Sequence, residues 1–180
     1  VLKTKKAHCI EGAMLACVAL RLQGHLPLVV DLTSNKKDFD HVVAIFKKDG
    51  CWGAISKTNH AVLRHRDPIY KSIRELVMSY FNEYFLDNGK KTLRSYTAPV
   101  NLSRFDKLGW MTSNEDVWYI PEYLAEIKHK PILTKKQIFS LRKADSIEVK
   151  AGEILQWKKM PSGKIRKINY KRKKSAKAVI

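Results

Sequence analysis

The dipeptide Asp49-Gly50 constrains this chain more than any other feature. It joins two runs of strand-forming residues, 41–46 and 51–55, with only Lys47 and Lys48 ahead of the turn. Glycine tolerates the positive φ of a tight reversal, so the spacing predicts a β-hairpin. Side-chain alternation then places His41, Val43 and Ile45 on one face of the first strand. A short apolar run at 26–32 reads as a buried strand, with Pro27 near its start. A third strand is expected at 61–64.

Ahead of the hairpin, Cys9 opens an apolar helical run that reaches Arg21, with Gly24 as its C-cap. A cysteine in a first helical turn meets unpaired N–H groups and the positive end of the macrodipole. Both favour thiolate, the form a nucleophile needs. Glu11 in the same turn also suits the dipole. Beyond the hairpin, Asp67-Pro68 reads as N-cap and first helical residue. Ile69, Ile73, Leu76, Val77, Tyr80, Phe81 and Tyr84 follow at helical spacing, and Asn88-Gly89 ends the run. Residues 90–112 read as an extended surface segment. Ser113 is expected to cap a short helix from Asn114 that Pro121 disturbs, and Thr134 one that runs to about Ser146. Residues 153–159 and 164–169 suggest a basic hairpin.

The 180 residues suit one domain, 1–150, followed by a basic hairpin and lysine-rich tail at 151–180 that is expected to be disordered. The net charge is +18, and ten of those charges fall between Lys158 and Lys177 with no acidic residue among them, which leaves +8 for the rest. The longest apolar runs, such as 13–20, are too short and interrupted to span a bilayer, so no membrane association is expected. No secretory signal is read at the start, and residues upstream of Val1 could complete a site around Cys9. Cys9 and Cys17 lie about 12 Å apart along one helix, too far for a disulfide. With Cys51, they suit free thiols in a reducing compartment, the cytoplasm. Cys17 reads as a core residue. His60 and His65 flank a strand without a ligand cluster around them, so no metal site is expected.

The order Cys9, then Asp40-His41-Val42-Val43-Ala44-Ile45-Phe46, then Asp49-Gly50-Cys51-Trp52-Gly53-Ala54-Ile55-Ser56, resembles the transglutaminase-like branch of the papain-like cysteine enzymes. The resemblance covers residues 7–59, about a third of the chain. It implies an α+β papain-like core, with a nucleophile helix packed on a small antiparallel sheet, a helical C-terminal extension and the basic tail. It also implies Cys9 as nucleophile and His41 as the general base, with no metal or organic cofactor. The family carries an Asp where this chain has Ser56, which can hydrogen-bond an imidazole but adds no charge. Asn59 is the nearest amide, and Asp31, Asp38 and Asp40 are carboxylates that folding could bring close. The glutamine that papain-like enzymes place before the cysteine is absent from residues 1–8.

Two functions follow as expectations. The first is a transglutaminase-like cysteine hydrolase or acyltransferase that opens a peptide, isopeptide or other amide bond of a peptide or protein substrate through a Cys9 thioester. The second is a catalytically impaired version of the same fold that acts as a binding module. Its basic tail would hold nucleic acid or another polyanion through phosphate contacts.

Overall fold

A computed structural model describes residues 1–2 and 5–156. Within them the chain forms an α+β fold around a seven-stranded antiparallel sheet. Helix α1 (Cys9–Leu22) leads into β1 (Leu28–Ser34), β2 (His41–Lys48), β3 (Cys51–Ile55) and β4 (Arg66–Tyr70). Helix α2 (Ile73–Phe81) follows, then β5 (Leu93–Thr97), β6 (Val100–Asn101) and a 3-10 turn at Leu102–Leu108. Helix α3 (Tyr119–Glu126), β7 (His129–Pro131), α4 (Lys135–Phe139) and α5 (Ser146–Gly152) complete the order. The strands lie in the order β4-β3-β2-β1-β5-β7, and β6 also pairs with β1. Among the described residues, no helix is long and apolar enough to cross a membrane.

The β2–β3 hairpin forms in the expected register, from Lys48↔Cys51 to Ala44↔Ile55. Asp49 and Gly50 both take positive φ, 50° and 80°, the pair of left-handed residues that a two-residue hairpin turn requires. The expected strand at 26–32 is β1, which begins two residues later, at Leu28. It is an interior strand paired to β2, β5 and β6.

Each face of the sheet buries its own apolar cluster. On one face, Ala13, Cys17 and Leu20 of α1 pack on Val29, Val42 and Ala44, with Leu102, Phe105, Ile120 and Leu124 beyond them. On the other, Leu76, Val77 and Tyr80 of α2 pack on Val30, Leu32, Val43 and Ile45. Alternation along β1 and β2 sorts neighbouring residues between these two layers. Cys17 is fully buried, and its thiol donates to the Leu28 carbonyl at 3.4 Å.

Several elements differ from their sequence expectation. The third strand is Arg66–Tyr70 instead of 61–64, so Asp67-Pro68 lies in a strand, not at a helix start. Proline is tolerated there because β4 is an edge strand and needs no ladder donor on its open side. The helix begins six residues after Asp67, where the Ser72 hydroxyl accepts from the Glu75 N–H at 3.1 Å, and it stops at Phe81. Its expected buried stripe is present at Leu76, Val77, Tyr80 and Phe81. Residues 90–112 are no surface excursion. They contain β5, which is hydrogen-bonded on both sides, to β1 and β7. The helix expected from Asn114 starts at Tyr119, with Pro121 in its first turn, where a missing N–H costs nothing. Thr134 caps α4 as expected, but that helix ends at Phe139 and a separate α5 begins at Ser146. The second arm of the basic hairpin and the lysine-rich tail lie outside the described residues. Its first arm is described only through Gln156, where Leu155 bridges to His60.

Candidate active site around Cys9 and His41

Cys9 is the first residue of α1, and the Glu11 carboxylate accepts the His8 N–H at 2.6 Å, closing the helix start. Helix α1 lies close to the segment after β3. A Cβ added at Gly12 would fall 2.2 Å from Lys57 Cβ, so only glycine permits this approach. The Cys9 sulfur is thereby held over the start of β2.

What it meets there follows from the strand pairing. Asp31 donates its N–H to Thr97 Oγ1 on β5 at 3.0 Å, so its backbone polar groups point away from β2. The Asp31↔Val42 pair is therefore a non-hydrogen-bonded one, and the Val42 N–H points toward the β3 side. The β2–β3 ladder ends at Ala44↔Ile55, so no strand takes that donor. It acts on the Cys9 sulfur instead and, with the N–H groups of Ile10 and of Cys9 itself, favours the thiolate. Since the Val42 nitrogen is bonded to the His41 carbonyl carbon, the sulfur lies near the His41 backbone.

His41 is 9 % exposed, and its Nε2 lies 2.6 Å from Ser56 Oγ. Of the two residues expected as partners for the imidazole, Ser56 makes this contact. Asn59 takes part through its carbonyl, which accepts from Gln156 N–H at 3.0 Å. The alternation that joins His41 to Val43 and Ile45 points toward the α2 layer, whereas α1 covers Val42 and Ala44. Cys9 and His41 therefore approach the open ladder end from opposite faces. Backbone N–H groups act on the sulfur with the Asp31 carboxylate nearby, and the ring meets the Ser56 hydroxyl with His60 and Lys57 nearby.

The electrostatics correct one sequence expectation. Helix-start N–H groups do favour a Cys9 thiolate, but burial outweighs them and the nearby Asp31 carboxylate adds to it, so the thiol titrates above its ordinary value. Burial also pulls His41 down to about 4, helped by His60 and Lys57. At neutral pH the resting pair is thiol and uncharged imidazole, not thiolate and imidazolium.

Sequence reasoning missed part of the surroundings. Asp31 is 5 % exposed, and His129 Nε2 on β7 lies 3.1 Å from its Oδ2. That hydrogen bond raises the His129 pKa. Asp31 thus faces Cys9 and His129 instead of orienting His41. Asp40 accepts from the Ser34 N–H at 2.7 Å, and Asp38 Oδ2 accepts from Thr92 Oγ1 at 2.5 Å. Tyr84 closes the same loop by donating to the Phe39 carbonyl. His129 carries no local signal, because its partner is 98 positions away.

Among the described residues, no group of three or more His, Cys, Asp or Glu side chains is arranged to hold a metal ion. His60 Nδ1 lies 2.8 Å from the Gly152 carbonyl. His65 lies 3.3 Å from Asp67 Oδ1, an exposed pair. Neither a family model nor a curated protein matches the chain.

Proposed function

We propose that this protein is a transglutaminase-like cysteine hydrolase that opens an amide bond through a Cys9 thioester. The observation that carries the reading is the His41 Nε2–Ser56 Oγ contact of 2.6 Å at the open ladder end whose Val42 N–H acts on the Cys9 sulfur from the other face. The proton transfer requires the His41 ring to reach across the open ladder end to Cys9, and in the tautomer whose Nε2–H donates to Ser56 it is Nδ1 that has the lone pair to accept the thiol proton. The order of charges differs from a preformed ion pair. Both groups rest neutral, and His41 takes the proton as Cys9 Sγ attacks the carbonyl carbon. Collapse of the tetrahedral adduct breaks the C–N bond, and His41 returns the proton to the leaving amine. Water then attacks the thioester, with His41 accepting its proton, and the acid and the thiol are released. An amine in place of water gives acyl transfer by the same steps. Backbone N–H groups at the start of α1 are the available oxyanion donors.

The test is acylation by p-nitrophenyl acetate, with the acetyl group located by peptide mass spectrometry. A nitrophenolate burst with acetyl on Cys9 is expected. Cys9→Ala should abolish it, and His41→Gln should slow it by about 100-fold, the low end for a general base. Ser56→Ala should fall between. Acetyl found only on Cys51 or lysines, or a burst indifferent to His41→Gln, would sink the proposal.

The burial that keeps both groups neutral also favours the second reading, an impaired enzyme fold kept as a binding module. That reading expects no Cys9 acylation at any pH. It also expects polyanion binding that is lost when residues 158–180 are deleted and untouched by Cys9→Ala.

A further inference from the structure

Away from Cys9, a cleft of about 540 Å³ opens between the loop after β1, the start of β5 and the segment after α4. Its charged lining residues are all cations, with Asn35, Ile138 and Leu141 as the remaining wall. Lys91 and Arg94 line it from β5 and the residues just before it. Lys91 is 7 % exposed, and its ammonium donates to the neutral Asn82 Oδ1 at 2.7 Å. Arg94 donates to the backbone carbonyls of Leu93 and Lys91 at 2.8 and 2.9 Å. No ion pair joins either to a carboxylate among the described residues.

The placement of Arg94 is a feature of the sheet itself. Thr33 pairs with Ser95 and Ser34 with Leu93, so Arg94 is the extra residue of a β-bulge. Bulges re-aim a side chain at the expense of ladder regularity. Around this pair stand Lys36, Lys37, Lys90 and Lys143, which make no ion pair with a carboxylate among the described residues, while Arg142 is held by both oxygens of Glu148.

Lys91 is buried and Arg94 half-buried, and cations held there on neutral hydrogen-bond partners are costly unless an anion completes them, whereas Lys36, Lys37, Lys90 and Lys143 are exposed around them. Six of its seven cations make no ion pair with a carboxylate among the described residues, although Glu148 acts on Lys91 electrostatically, and six exceed what a single phosphate would need. The volume is that of a small-molecule pocket, not of a groove that tracks a strand of nucleic acid. We propose that this cleft binds a small organic molecule bearing a chain of two or more phosphate groups. Arg94 and Lys91 take the phosphate oxygens as charge-assisted donors, the four other lysines neutralise the chain, and Ile138 and Leu141 cover the organic part. This inference is independent of the chemistry at Cys9.

The experiment is calorimetric titration of the full chain with inorganic tripolyphosphate, inorganic orthophosphate and a 20-nucleotide single-stranded RNA. Tripolyphosphate should bind at least about tenfold more tightly than orthophosphate. The exposed triple variant Lys36→Gln/Lys37→Gln/Lys143→Gln, chosen because it leaves the core untouched, should weaken tripolyphosphate at least about tenfold. Arg94→Gln should do the same. Arg94→Lys should recover only part of the loss, since an ammonium lacks the guanidinium fork. Tripolyphosphate affinity unchanged in the triple variant assigns the binding to another basic segment and overturns the proposal. RNA binding that the triple variant weakens, with no saturable tripolyphosphate binding, overturns it in favour of a nucleic-acid surface.

Discussion

The Cys9–His41 site and the basic cleft treat ionisable groups in opposite ways. At the first, burial strips charge: the thiol is pushed up, and the imidazole is pulled down to about 4. At the second, several cations stand together with neutral partners or none among the described residues. The difference teaches what each place is suited to. Two groups that rest uncharged would suit the proposed chemical step, in which charge appears only as a bond is made. Fixed positive charge suits the capture of something already negative. Both arise where β1 gives way to the loop that leads into His41, since that loop carries Lys36 and Lys37 and closes through Asp38 and Asp40.

The largest expected effect tests whether His41 is truly held neutral. Its folded pKa of about 4 lies below the ordinary 6.5. An unfolded chain therefore binds a proton at this ring as pH falls below 6.5, whereas the folded chain does so only near 4. Stability falls with pH across that window, and the loss is complete below it, on the order of 3 kcal/mol. His129 has the opposite sign. Its pKa is raised by Asp31, so its contribution is full below 6.5 and fades as pH rises through the folded value. Urea unfolding of wild type and His41→Gln between pH 7 and pH 4.5 separates the two. The variant should lose much of the acid slope, and an unchanged slope means that the ring is not buried as neutral imidazole.

Gly12→Ala comes next. Its Cβ would overlap Lys57 Cβ, so either α1 or the segment after β3 must move, at a cost of about 1–3 kcal/mol. The expected signature is a lower urea midpoint together with altered alkylation at Cys9 and none at Cys51. A full-stability variant would mean that α1 does not rest on Lys57, and the sulfur's contact with the Val42 N–H would lose its support.

These two positions also mark what the sequence made legible. Cys9 at a helix start, the Asp49-Gly50 hairpin and the Leu76/Tyr80 stripe rest on local signals, and each is where its spacing puts it. The Ser56 contact was readable as one of two options, because it lies across the same hairpin. β5 was not readable. Lys91, Thr92, Arg94 and Ser95 look like a polar surface, and they become a strand only because β1 and β7 flank them. Asp67-Pro68 misled for a related reason, since proline starts helices and is equally at home on an open strand edge. The sign of the Cys9 shift was hidden too. The helix start argues for thiolate, while burial and Asp31 arrive only through tertiary packing.

Asp31→Asn sharpens that last point with a smaller effect. It removes a negative charge near the sulfur while keeping an oxygen toward His129. The Cys9 thiolate fraction at pH 8 should rise a few-fold, read as iodoacetamide alkylation relative to Cys51, and the His129 pKa should move back toward 6.5. If Cys9 alkylation does not change, burial alone sets its reactivity, and β1 contributes nothing electrostatic to the site.

The smallest effect decides whether the cleft cations belong to the fold or to a ligand. Lys36, Lys37, Lys90 and Lys143 make no ion pair with a carboxylate among the described residues, so they repel one another and the buried Lys91 and Arg94. Replacing one, as in Lys143→Gln, should raise the urea midpoint slightly in 20 mM salt. In 1 M salt, where charges are screened within about 3 Å, the gain should vanish. Lys143→Gln compared with wild type in both salts makes the distinction. A salt-sensitive gain means that the folded chain carries this repulsion as a cost that only an anion offsets. A loss that survives 1 M salt would make Lys143 a structural contact, and the contrast between a neutralised site and a charged one would then be a feature of packing alone.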